Sequence, residues 1–169
     1  MIKIAVTDAN IFIDLIILEL IAQLFKLKLE IHTTREVFDQ LSVSQKLQMA
    51  GFEETEQLVI YNFNFEEIIE LQALDMPRGL EPADRTVFYY ASKLEATVLS
   101  GDNKLRKYCE SQGLKVFGII WLFDQLVEMK VINKTLATAK LEKLMGYNDR
   151  LPIEEIMKRL KMWKTGNQS

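Results

Sequence analysis

The chain has 169 residues, room for one domain with a full core and a short appendage, and 49% are hydrophobic against 27% charged, the balance of an ordinary globular protein. A formal net charge of −3 does not mark a general polyanion binder, and a single cysteine, Cys109, excludes an internal disulfide and suits a reducing cytosol. One histidine, His32, excludes catalysis by paired histidines and a His-rich zinc site, so any metal is held mainly by oxygen, which favours magnesium or manganese.

"IKIAV" near the start is apolar and β-branched, as a buried parallel strand should be, and it leads to Asp8 and then Asn10. Residues 11–26 predict a helix with Ile11, Leu15, Leu18, Ala22 and Phe25 on one stripe. This is also the longest apolar stretch, and Asp14 and Glu19 within it exclude a membrane span; with no basic leader before it, a cytoplasmic protein is expected. "LEIHT" is a second strand, and "TTREVFDQLSVSQKLQMAG" a helix that Gly51 can close. "QLVIYNF" is a third strand and "NFEEIIELQAL" a helix. After the loop "DMPRGLEP", Pro82 opens a helix running to about Leu94. "ATVLS" is a strand, "NKLRKYCESQ" a helix closed by Gly113, and "LKVFG" the fifth strand. Residues 119–130 are helical, as are roughly 134–145 and 152–163, the last with Ile153, Ile156, Leu160 and Trp163 on an apolar stripe.

Five alternations of strand and helix imply an α/β fold with a mainly parallel, five-stranded sheet between helical layers. The division expected is a main α/β domain over 1–133 and a helical extension over 134–169, packed on the domain or on a second copy. The extension is relatively basic, since residues 140–169 hold seven Lys/Arg against four acids. An acidic body beside a basic tail fits a cation site next to a basic partner surface.

In an open α/β sheet, sites lie beyond the carboxyl ends of strands. Asp8 follows the first strand and Asp102 follows "ATVLS" through Ser100-Gly101, while Asp84 lies in the first turn after Pro82. Asp84 and Asp102 also suit a helix first turn and an N-cap, whereas a strand-ending acid such as Asp8 has less structural excuse. If the two strands are close, three carboxylates meet, and their mutual repulsion is relieved by a divalent cation. His32 reads as a surface or capping residue, Cys109 as packing, and Tyr89, Tyr90, Trp121 and Phe123 as core-spaced aromatics. Asp124, mid-helix, is placed outside the site.

"VTDANIFIDL" together with "LEPADRTVFYYASKLEATVLSGDNKLRKYCESQGLKVFGIIWLFDQLVE" resembles the PIN-domain family of metal-dependent ribonucleases over about residues 1–130. The resemblance implies a three-layer α/β/α fold and hydrolysis of RNA phosphodiesters assisted by Mg2+ or Mn2+. It also implies a role as the toxin of a toxin–antitoxin pair, with an antitoxin protein as partner. Asp8, Asp84 and Asp102 would be the catalytic, metal-holding acids, and Asn10 and Ser100 would orient ligands or waters. Lys104, Arg106 and Lys107 are candidates for backbone phosphates, against a plain reading as a solvated helix face.

The family usually places a further Glu on its second helix, in a pattern that here reads "VFDQL" and puts Gln40 at that position. Glu36, one turn earlier, is an alternative acid, although Thr33 and Glu36 also have capping-box spacing. Asp39 points elsewhere. A neutral fourth position leaves a second function open, a catalytically weakened RNA- or protein-binding module. A third, an aspartate-phosphorylated phosphotransferase of the haloacid dehalogenase type, wants Asp where Asn10 stands.

Overall fold

The alternation resolves, in a computed structural model describing residues 3–166, into five strands and ten helices. In chain order they are β1 (Lys3–Thr7), α1 (Ala9–Ile17), α2 (Ile21–Leu24), β2 (Leu29–Thr34), α3 (Arg35–Phe38), α4 (Val43–Glu54), β3 (Leu58–Tyr61) and α5 (Phe65–Ala73). There follow α6 (Pro82–Leu94), β4 (Thr97–Leu99), α7 (Asn103–Ser111), β5 (Val116–Phe117), α8 (Ile119–Glu128), α9 (Lys134–Met145) and α10 (Ile153–Thr165). Ile2, expected in the first strand, lies outside the described residues.

The strands form one sheet in the order β3-β2-β1-β4-β5, with every pairing parallel. Central strands buried on both faces need apolar side chains throughout, and Val6, Ile31, Val98 and Leu99 are all fully buried. α6 lies across β1, β2 and β4 with α5 and α7 beside it, while α1, α2, α4 and α8 form a second connected group of helices. The expected α/β architecture with a parallel five-stranded sheet is therefore present.

Two expected helices are each divided. The helix over 11–26 breaks at Glu19, whose backbone is left-handed (φ 57°), so α1 stops at Ile17 and α2 begins at Ile21. The helix over 33–51 breaks at Ser42, which caps α4 reciprocally: Gln45 N–H donates to Ser42 Oγ at 3.2 Å and Ser42 N–H to Gln45 Oε1 at 2.8 Å. Gly51 does not close α4, which runs on to Glu54. Thr33 is not a cap either. It lies in β2 with its hydroxyl donating to Thr7 O at 2.8 Å, and Thr34 caps α3 by accepting from Val37 N–H. His32 is buried rather than at the surface, with its ring nitrogens 2.7 Å from Tyr90 Oη and from Glu30 Oε1.

α9 and α10 pack on one another and α9 on α8. Ile156, Leu160 and Trp163 are buried within this chain, with Trp163 1% exposed and its ring 6.4 Å from that of Phe123. Ile153, the fourth residue of the expected stripe, is instead half-exposed. Polar contacts tie the same region to α1: Lys143 Nζ donates to Ile17 O at 3.1 Å and Asn148 Nδ2 to Asp14 Oδ2 at 3.3 Å. No helix among the described residues is long and apolar enough to cross a membrane.

Candidate functional site

Successive strands run outward from β1 to β2 and β3 on one side, and to β4 and β5 on the other. The direction of winding thus reverses between β1 and β4, and the crevice at their carboxyl ends is where a parallel sheet exposes backbone and helix termini to a ligand. Thr7 pairs with Leu99, and Asp8 N–H continues the ladder to Leu99 O at 3.0 Å, which brings Asp8 beside Ser100. Ser100 Oγ donates to Asp8 Oδ2 at 2.5 Å and accepts from Asp102 N–H at 3.0 Å. One fully buried hydroxyl therefore joins the two strand-end acids.

Asp8 and Asp102 each also cap a helix. Asp8 Oδ1 accepts from Ile11 N–H at 3.1 Å at the head of α1, and Asp102 Oδ1 from Leu105 N–H at 2.8 Å at the head of α7. Asp8, expected to have less structural excuse than the other two acids, has one as well, since its cap of α1 accounts for an acid there. What a cap does not account for is the convergence with Asp84 from the first turn of α6. All three acids, with Asn10 and Gln40, line one basin of about 650 Å³.

Charge inside this basin is costly. Burial, reinforced by the charges of Asp84 and Asp102, raises the Asp8 carboxyl to about 7 despite the bonds from Ser100 and Ile11. Burial raises Asp84 to about 6, with the charges of Asp102 and Glu81 adding to it. Among the described residues no three His, Cys, Asp or Glu side chains already stand in geometry that would grip an ion, so the acids share a basin without meeting at a point. Their donor set is nonetheless all oxygen, anionic and short of counter-charge. It fits a hard dication in kind.

The remaining candidates separate. Gln40 lines the basin from the turn after α3, whereas Glu36 is exposed and does not reach it. Lys104 lines the basin, Arg106 lines the neighbouring cavity, and exposed Lys107 lines neither. Asp124 is outside the basin, paired to Arg159 with Nη2 to Oδ2 at 2.9 Å. Arg150 and Glu81 also line the basin and were not expected there. Glu81 precedes Pro82 and could have been found beside Asp84, but for Arg150 the sequence offered only the basic excess of the tail.

A family model described as a PIN domain matches residues 4–165, which includes α9 and α10. No curated protein matches the chain.

Proposed function

The chain belongs to the PIN-domain family, and from that premise we propose that it is a magnesium- or manganese-dependent endoribonuclease whose catalytic, ion-holding acids are Asp8, Asp84 and Asp102. The observation that carries the reading is the gathering of three carboxylates from β1, α6 and β4 in one basin, two of them with raised pKa. A bound dication would supply a nucleophile at neutral pH and neutralise charge on the transferring phosphate. Ser100 holds one oxygen of Asp8 and the backbone of Asp102, while Leu105 N–H holds the Asp102 carboxylate, so hydrogen bonds orient both acids. Asn10 and Gln40 present amide groups for ordering water, and Lys104 offers a cation to a substrate phosphate.

Incubating single-stranded RNA with the protein and Mn2+ tests this, with Asp8→Asn and Asp102→Asn as controls. Cleavage that both substitutions abolish supports the reading, and equal cleavage by the wild type and both variants overturns it. Gln40, at a position where an acid is usual, favours a second reading as a weakened RNA- or protein-binding module, and RNA binding without cleavage would select it. The proposed physiological role is the toxin of a toxin–antitoxin pair. Growth arrest on expression, relieved by a small protein encoded next to it, is the corresponding test.

A further inference from the structure

Beside the acidic basin lies a second cavity of about 770 Å³, of a size that encloses a small organic ligand. The two are not separate. Asn10, Gly101, Asn103 and Arg150 line both, so a chain whose phosphate rests at the acids runs directly over the second cavity. One wall of it carries Phe117 and Trp121, stacked with ring centroids 4.4 Å apart and planes 11° from parallel, and Trp121 keeps part of its surface accessible. The floor includes the apolar side chains of Ile11, Ile120 and Leu151.

The opposite wall comes from α10 and the segment before it, and its charges are arranged unevenly. The acids that line the cavity are hydrogen-bonded: Asp124 of α8 and Glu155 of α10 share Arg159, and Asp14 of α1 accepts from the Asn148 amide. Arg150, by contrast, makes no ion pair among the described residues and stands where the two cavities meet. A flat aromatic surface, amide groups for hydrogen bonding and, where the two cavities join, one guanidinium with no ion pair among the described residues together suit a base attached to a phosphate.

We propose that this cavity receives one unpaired nucleotide of the RNA, the neighbour of the phosphate at the acids, with its base against the Phe117–Trp121 wall and its phosphate at Arg150. This inference rests on the nuclease reading and extends it: the substrate should be single-stranded at the cut, because a paired base enters the cavity only by giving up its pairing and stacking.

The test measures binding apart from cleavage. Anisotropy of a fluorescein-labelled hexamer of single-stranded RNA is titrated with the full chain in chelator, and then with Trp121→Ala, Arg150→Ala and Asp8→Asn. Loss of one stacking surface or one phosphate contact should weaken binding about ten-fold, while Asp8→Asn should bind at least as tightly as the wild type. A duplex of the same sequence should compete poorly. Wild-type affinity in both Trp121→Ala and Arg150→Ala, or equal binding of the duplex, overturns the proposal even if manganese-dependent cleavage is intact. If instead cleavage is absent but the two substitutions weaken binding, the nuclease reading fails and the nucleotide cavity stands. Arg150 is exposed, so its variant decides the matter should Trp121→Ala not fold.

Discussion

Replacing Asp8 by Asn should make the metal-free protein more stable at neutral pH, and the gain should shrink as the pH is lowered. A carboxyl whose folded-state pKa lies above its unfolded value holds its proton more tightly when folded. The stability it supports is complete below the unfolded value of 3.8 and is lost as pH rises through about 7. At pH 7 the cost of burying the ionised group is at most about 4 kcal/mol, and at pH 5 about 2 kcal/mol, taking 1.36 kcal/mol per pKa unit. The amide removes that charge but fits less well. Its NH2 would face Ser100 Oγ, which already accepts from Asp102 N–H, and the disturbed hydrogen bond offsets about 1–2 kcal/mol. The net expectation is a gain of about 2 kcal/mol at pH 7 and near zero at pH 5. Urea unfolding of wild type and variant in chelator, at both pH values, measures it. Destabilisation at pH 7, or a gain independent of pH, would refute the claim that desolvated charge dominates at this position, leaving Asp8 as a helix cap alone.

Gln40→Glu should tighten Mn2+ binding roughly ten-fold in a calorimetric titration, since an added anionic ligand favours a hard dication. Glu36→Gln, on an exposed side chain outside the basin, should leave the affinity unchanged; a weaker affinity there would move the fourth ligand back one turn. Trp163→Ala should cost about 3–5 kcal/mol in a single unfolding transition, because the ring is fully buried against α8, and a wild-type midpoint would show that α10 is not part of the cooperative core. Glu67, buried and bonded to Asn64 N–H, Tyr61 and Lys93, has a lowered pKa, mainly through the Asn64 bond. Its contribution is present above the ordinary value of 4.5 and lost as pH falls through the lowered one, so Glu67→Gln should flatten the acid limb of the stability curve. An unchanged limb would remove that assignment.

How much of this was readable from residues alone depended on whether an element's end carries a chemical mark. Pro82 marks the start of α6, and Gly113, with φ 84°, follows α7 as a left-handed closure. The break after α1 has no such mark, because the left-handed position is filled by Glu19 where glycine is the usual signal. The Ser42–Gln45 cap was present in the sequence, but the apolar series Phe38, Leu41 and Val43 masked it by continuing a helical reading across the gap. At the site, Asp8 and Asp102 were visible because a strand's end is a local property. That they meet is not local: it follows from β4 pairing with β1, and before the structure only the family resemblance put the three acids in one site. Arg150 was out of reach, since nothing near it in the chain indicates Asn10 as a neighbour across the groove.

The position of Arg150 gives the groove an order of assembly during synthesis. The ribosome delivers Asp8 first and Asp102 only after most of the sheet, and the residues that build the far wall come later still. At about 5–20 residues per second, roughly 2–10 s separate the emergence of Asp102 from that of Arg150. Throughout that interval the three acids have been made, while the cation where the two cavities meet and the α10 side of the second cavity have not. On the proposed nuclease reading, the groove therefore gains its Arg150 wall only after both strand-end acids have been made, so a full hold on a substrate comes later than the acids themselves.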